Sequence, residues 1–229
     1  MDNILAAAQA IATARRNRNA LAALADEIAP NDEAEGYLIQ RAVHDLLLPN
    51  LGSLVGYKIG CTSPVMQRYL EIPHPCGGGV FERGVHDSGV SLRCGDYVRV
   101  GVAAIEIVDD RYVKWETIGA PTLIADDFFA AGCVLGKPVA RLRAPDLFKL
   151  AGRALINGSE AGRGTGADVL GHPHNALAWL ANHLAAEGKG LHAGQIVLTG
   201  SLVKTVWLNA GDHVTMELEG LGKVQAAFE

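Results

Sequence analysis

Apolar positions follow two different rhythms along the chain. In residues 3–48, Ile4, Ala8, Ile11, Leu21 and Leu24 recur on a helical period, and a second run with Leu38, Ala42, Val43 and Leu46 inside begins near "NDEAEGY". Asp32, Glu33 and Glu35 in the first turn of that second run suit the positive end of a helix dipole, and Pro49 is expected to stop it. From Leu54 onward short apolar runs alternate with glycine turns: "LVGYKIG", "GGVFERG", "DYVRVG", "AAIEIVDD", "GCVLGKPV", "RALING", "QIVLTGS", "DHVTMELEG" and "KVQAAF". These are strand signals, numerous enough for a large mixed β core. One long helix interrupts them, "HPHNALAWLANHLAAEG", with Pro173 in its first turn, Leu177, Leu180 and Leu184 on one face, and Gly188 as its stop. The pattern predicts an α+β protein: a helical N-terminal part over 1–50 and a β-rich body over 51–229 with one long helix packed on the sheet. No internal repeat or low-complexity linker divides it.

Composition narrows the class. A chain of 229 residues suffices for one large domain with a substantial core. Its net charge of −5 argues against general nucleic-acid binding, which needs a basic stripe. No apolar run reaches the roughly 18 residues that a membrane span requires, and at the N-terminus the apolar run precedes the basic cluster, the reverse of a signal peptide. Cys61, Cys76, Cys94 and Cys133 form no C-x-x-C pair, so reduced thiols in a cytoplasmic protein are expected rather than a disulfide framework or a structural zinc site.

Several stretches carry candidate chemistry. In "GYKIGCTS", alternation sends Tyr57 and Ile59 to one face of a strand and Lys58 to the other. A lysine there is either an edge guard or a cation held over an anionic substrate. "GRGTGADVLGHP" lies between a strand and a helix, but its glycines have neither dinucleotide-loop nor P-loop spacing. His172 and His174 flank Pro173 at a helix start, where they diverge, so capping or packing is preferred to a shared metal. Cys76 beside His74 reads as an ordinary thiol in a turn. The densest cluster is "AIEIVDDRYVKW": Ile105, Ile107 and Asp109 fall on one face, Glu106, Val108 and Asp110 on the other. A glutamate inside an apolar strand must be ion-paired (to Arg111 or another base), protonated or metal-bound. "TLIADD" then brings Asp126 and Asp127 to the end of another apolar run, where converging carboxylates would suit Mg²⁺ or Mn²⁺.

Four blocks, "GYKIGCTSPVMQ", "AIEIVDDR", "NGSEAGRGTGADVLGHPHNALAWLANHL" and "GQIVLTGSLV…VWLNAGDHVTMELEGLGKV", stand in the order in which similar blocks occur in the fumarylacetoacetate hydrolase superfamily. They most resemble its hydratase/decarboxylase branch, the 2-keto-4-pentenoate hydratases and 4-oxalocrotonate decarboxylases. The resemblance implies a mixed β-roll that binds Mg²⁺ or Mn²⁺, a small-molecule keto-acid substrate and a homo-oligomer. It implies that Glu106 is one of three carboxylate ligands and that Lys58 faces the substrate carboxylate or relays a proton. Arg111 and Ser201 would shape the anion pocket, with N–H groups of the Thr199–Gly200–Ser201 turn as donors. The implied activity is that of a metal-dependent lyase adding water to a short 2-keto or 2-hydroxy-dienoic acid through an enolate. The alternatives are a 4-oxalocrotonate-type decarboxylase, an acylpyruvate C–C hydrolase, whose His–Glu pair has no counterpart in this chain, or a non-catalytic member.

The chain departs from the branch twice. No Glu-x-Glu pair, the source of the other two ligands, occurs between Ser91 and Glu106. The pair is expected in a segment missing near Gly101–Val102, either deleted or left out of the numbered chain, and omission is preferred because a lost strand would leave sheet partners unpaired. Cys76 also stands where the family often has an aspartate.

Overall fold

The computed structural model of the chain describes residues 2–87, 90–92, 99–100, 104–137, 144–192 and 194–229. In chain order its elements are α1 (Asp2–Asn17), α2 (Glu33–Leu51), β1 (Leu54–Gly60), α3 (Pro64–Tyr69), β2 (Cys76–Phe81), β3 (Val85–Asp87), β4 (Val90–Leu92), β5 (Arg99–Val100), β6 (Ile105–Val108), α4 (Ala120–Ala125), β7 (Ala130–Leu135), α5 (Ala144–Lys149), β8 (Ala151–Ile156), β9 (Ser159–Thr165), α6 (Pro173–Ala186), β10 (Ile196–Leu198), β11 (Val206–Trp207), β12 (His213–Leu218) and β13 (Gly222–Phe228). The α+β expectation holds, with three open mixed sheets ordered β10-β1-β2, β11-β5-β6-β7-β3 and β4-β13-β12-β8-β9.

The helical part forms the two expected helices, with three corrections. In the first, α2 buries Ile39, Val43 and Leu47, while Leu38, expected inside, is exposed and Ala42 and Leu46 are only partly buried. Ala8, Ile11, Ile39, Val43 and Leu47 form one buried cluster, which also takes Phe81 and Ala125 from the body, so the two parts share a core. Leu21 and Leu24 do not extend α1. Arg18 turns into the left-handed region (φ 53) just after the helix ends, and Leu21 instead bridges to Tyr112 in a parallel pairing. Pro49 does not stop α2 either. It sits in the last turn, where its missing N–H removes a single bond, and Gly52 (φ 77) closes the helix by donating to the Leu48 carbonyl at 3.0 Å.

In the body, Ile59, Ile105, Ile107, Val134, Leu180, Met216 and Phe228 meet in the main core, where α6 covers the sheets. Each such side chain, fully buried, contributes on the order of 2 kcal/mol. The glycine-rich stretch "GRGTG" is largely β9, paired antiparallel to β8. Gly164 is required there by close packing, since a Cβ would run into the Leu202 carbonyl. "TLIADD" is the end of helix α4, not of a strand.

The seam at Gly101–Val102 lies outside the described residues. On either side of it β5 and β6 pair directly, Arg99 with Val108 and Val100 with Ile107, and β6 pairs β7 on its other edge. The unpaired partners that a lost strand would leave are therefore not found at β6.

Candidate active site

Three elements bring Lys58, Glu106 and Arg111 to one cleft of about 270 Å³. β1 is the middle strand of its sheet, between β10 and β2, so Lys58 is not an edge guard. Its side chain leaves the face opposite to the core residue Ile59, passes beneath Gly78 and Gly79 of β2, and is only 4% exposed. Glu106 leaves β6 on the face opposite to Ile105 and Ile107 and is 6% exposed. Nζ of Lys58 lies 2.8 Å from Glu106 Oε1. The two form a buried ion pair, and among the described residues Oε1 accepts no other hydrogen bond. The partner expected for Glu106, Arg111, is engaged elsewhere.

Asp109 lines the same cleft as Glu106, against the simple alternation. β6 ends at Val108, so strand alternation no longer governs Asp109, while the extra residue at the register shift, Ala131, lies on β7. Burial pushes the Asp109 carboxyl above its ordinary value, and Arg111, whose Nη1 is 4.0 Å away, only partly offsets this.

The cleft's two cations, Lys58 and Arg111, are held from behind by a turn that local sequence does not announce. Asp127, Phe128 and Phe129 are three consecutive non-glycine residues in the left-handed region, with φ of 53, 50 and 63. Each position costs on the order of 1–2 kcal/mol, so the turn needs fixing from outside. Asp127 supplies this. Fully buried, it accepts from the Gly79 N–H at 2.8 Å and from Arg15 at 2.9 Å, and its Oδ1 meets His44 Nε2 at 2.6 Å. Burial alone would raise its pKa. His44, then Arg15 and the Gly79 N–H, outweigh burial and hold the carboxyl well below the usual carboxylate range.

The fixed turn aims its carbonyls at the cations. Lys58 donates to Phe128 O at 2.8 Å. Arg111 donates to Asp126 Oδ2 at 3.0 Å, Asp126 O at 2.9 Å and Ala130 O at 3.2 Å. Asp126 and Asp127 are therefore ion-paired positioning groups at a helix end and not converging metal ligands. Arg111 lines the cleft, with its guanidinium held by Asp126 and the carbonyls of this turn.

Other predicted residues fall elsewhere. Thr199, Gly200 and Ser201 follow β10. Leu198 lines the cleft, but the turn itself does not, and Gly200 (φ 121) packs against Thr62. Cys76 is in strand β2, not in a turn, and is fully buried. Burial first, then nearby Cys61, push its thiol far above the ordinary range, so it is a neutral S–H where the family often has an acid. His172 caps α6, its Nδ1 accepting from the His174 N–H at 3.0 Å, as the capping reading expects. Sequence reasoning missed Arg15, His44, Asp127 as an anchor, and Arg83. For His44 a signal existed: it falls on the same helical face as Ile39, Val43 and Leu47, where a polar residue needs a buried partner.

Residues 80–229 match the model of the fumarylacetoacetate hydrolase C-terminal family. The chain belongs to the fumarylacetoacetate hydrolase family. A 2-keto-4-pentenoate hydratase of Paraburkholderia phymatum is 33% identical over 245 aligned positions, covering 94% of this chain and 93% of the relative. One from Burkholderia vietnamiensis is 31% identical over 258 positions, covering 99% and 98%. Among solved structures, 4-oxalocrotonate decarboxylase from Pseudomonas putida G7, complexed with magnesium and adipate, superposes with a TM-score of 0.90 at 25% identity, covering 100% of this chain and 98% of the other. The 258 aligned positions exceed this family member's 229 residues by 29, so the B. vietnamiensis hydratase carries at least 29 residues with no counterpart here.

That difference bears on the metal. Among the described residues no group of three or more His, Cys, Asp or Glu is placed to hold an ion. Glu106 offers one buried oxygen without a hydrogen-bond partner, but Lys58 already stands beside it. No glutamate lies between Ser91 and Glu106 to complete a three-carboxylate cage. Among the described residues the donor set does not fit a three-carboxylate cage, and no step below is routed through an ion.

Proposed function

We propose that the chain is a lyase that adds water to a short 2-keto or 2-hydroxy-dienoic acid, a 2-keto-4-pentenoate-hydratase-like reaction. The observation that carries this reading is the buried Lys58–Glu106 pair on the cleft floor of a chain that aligns almost end to end with 2-keto-4-pentenoate hydratases. Lys58 Nζ would hold the substrate carboxylate or the oxygen of the enolate, since burial strengthens the attraction between an ammonium and an oxyanion. Glu106 Oε1, without a hydrogen-bond donor, would take up and return the proton that moves along the substrate carbon chain. Arg111, clamped by Asp126 and the turn carbonyls, would contribute a fixed positive field. Thr199, Gly200 and Ser201 would offer N–H donors only from just beyond Leu198. Mg²⁺ or Mn²⁺ belongs to this reading through Glu106 alone. No helix among the described residues is long and apolar enough to cross a membrane, and the proposal places the protein in the cytoplasm as a homo-oligomer with no nucleic-acid or membrane partner.

The test is turnover of 2-keto-4-pentenoate by the purified protein in Mg²⁺, in Mn²⁺ and in chelator, with product identified by mass. Gain of one water supports the hydratase reading. Loss of CO₂ from a 4-oxalocrotonate-type acid would replace it by decarboxylation, and scission of an acylpyruvate by C–C hydrolysis. Activity that survives chelator would remove the ion from the mechanism. No turnover under any metal condition would overturn the enzymatic reading in favour of a ligand-binding family member. The missing Glu-x-Glu pair is the observation that favours this second reading.

A further inference from the structure

Three polar residues of α2 stand where a helix packed on the body would ordinarily carry apolar ones. Tyr37, Gln40 and His44 recur at helical spacing and share one face, and Gln40 and His44 are buried. This stripe lies along the outer edge of β2. That strand ends its sheet, with β1 on one side and, among the described residues, no strand on the other. Its outward backbone groups therefore need partners from elsewhere, and side chains supply them. Gly77 donates its N–H to the Tyr37 hydroxyl at 3.0 Å, and its carbonyl accepts from Gln40 Nε2 at 2.9 Å. Gly79 donates to Asp127, which His44 meets at 2.6 Å.

Gln40 does more than close this edge. The same Nε2 donates to the Ile124 carbonyl at 2.6 Å, in the last turn of α4 and two residues before Asp126. Both hydrogens of its amide are thus taken by carbonyls of different elements, β2 and the helix that leads into the left-handed turn. These are the elements that hold Lys58. Its backbone pairs with Gly78, and its Nζ donates to the Phe128 carbonyl at 2.8 Å. Strand and turn also touch, since a Cβ on Gly78 would lie 2.7 Å from the Asp127 carbonyl oxygen.

We propose that Gln40 is a positioning residue for Lys58. Its amide fixes the spacing between β2 and the turn, and that spacing sets where the ammonium stands beside Glu106. Tyr37 supports the arrangement by holding the Gly77 N–H. The inference rests on the reading of Lys58 as the group that holds the substrate oxyanion, and deepens it by naming what keeps that group in place.

Hydrogen exchange in the native full-length protein reads position without requiring turnover. Gln40→Met keeps the length of the side chain and removes both donors. The amides of Gly79, Phe129 and Asp109, which donate to Asp127, Asp126 and Phe129, report on strand and turn. In the variant they should exchange about tenfold or more faster, while amides of the β12–β13 hairpin change less. The Lys58 ammonium, followed by NMR in lysine-labelled protein and assigned by its loss in Lys58→Arg, should lose protection in step with them. Turnover of 2-keto-4-pentenoate should fall about tenfold or more in kcat, the scale of a misplaced group. Val224→Ala, a truncation in the core of the body used as a control for lost stability, should keep kcat and speed all amides alike. If Gln40→Met does not fold, Tyr37→Phe carries the test, because it removes only the Gly77 acceptor and should give the same selective pattern at smaller size. Uniform acceleration of all amides, an unchanged Lys58 ammonium, or an unchanged kcat in a selectively loosened variant would overturn the proposal. A parent protein without turnover, in which Gln40→Met still loosens Lys58 selectively, would overturn the hydratase reading and leave the positioning of Lys58 by Gln40 standing.

Discussion

On the wall formed by residues 126–130, both oxygens of Asp127 are engaged, the guanidinium of Arg111 reaches Asp126 and the Ala130 carbonyl, and His44, Arg15 and the Gly79 N–H converge from three other elements. On β6, Glu106 has one ionic neighbour among the described residues and an oxygen with no hydrogen-bond partner there. Asp126 Oδ1 shares that lack, while its carboxylate is otherwise held by Arg111. The first wall holds three left-handed residues against their own preference. The second holds one carboxylate where the family resemblance calls for three. The substrate-positioning half of the site is thus over-determined, and the half that would bind an ion is sparse. Truncating each wall tests the difference directly.

Asp127→Ala should have the largest effect. It strands Arg15 and the Gly79 N–H in a buried site and releases the left-handed turn, so a loss of about 3–5 kcal/mol is expected in denaturant unfolding. Glu106→Gln should cost under about 2 kcal/mol, because Lys58 keeps the Phe128 carbonyl and the amide oxygen can still face it. Its effect should instead appear in turnover, as a fall of roughly a hundredfold in kcat, the scale of losing one group that acts in the transition state. Equal stability losses for the two variants would dissolve the contrast between the walls.

Acid unfolding sharpens the same contrast. The folded-state pKa of Asp127 is depressed, so its contribution is fully present above the ordinary aspartate value of about 3.9. It is lost as pH falls below that towards the depressed value. The stability difference between the parent and Asp127→Asn should therefore be level at neutral pH and shrink below about pH 4. Asp109 acts in the opposite sense. Its raised value favours folding when it is protonated, and that contribution is lost as pH rises through its folded value. A difference that did not change on acidification would mean that Asp127 is not held as a charged anchor.

These two walls were unequally legible in the sequence. Glu106 and Lys58 stood out because a charge inside an alternating apolar strand is costly, and period alone predicted their faces correctly. Asp109 was assigned to the wrong face, because β6 ends one residue before it and alternation was carried past the strand. Asp126 and Asp127 were read as strand-end ligands. The apolar run before them is too short to separate a six-residue helix from a strand, and their partners Arg15 and His44 are distant in sequence. The long helix and most strands of the body were read well, but the six-residue helices α3, α4 and α5 were not expected, and in β9 glycines that permit close packing against Leu202 resembled a loop.

The smallest expected effect concerns thiols, and it asks whether the sparse wall hides a substitute acid. Cys76 occupies a position where the family often has an aspartate, so a thiolate there would restore a proton acceptor beside β1. The structure argues against one. Cys76 is fully buried in β2, opposite Gly60, and its thiol is pushed far above the ordinary range. Burial likewise pushes Cys61 up to about 11 and Cys133 up to about 12. In a Cys94→Ser background, chosen because Cys94 lies outside the described residues, the native protein should react with a thiol reagent at pH 7 only slowly, whereas three thiols should react at once in denaturant. A single fast native thiol, traced to Cys76 by mass, would show thiolate character at the site. The sparse wall would then contain a second acid–base group, and the Lys58–Glu106 pair would no longer carry the proton transfers alone.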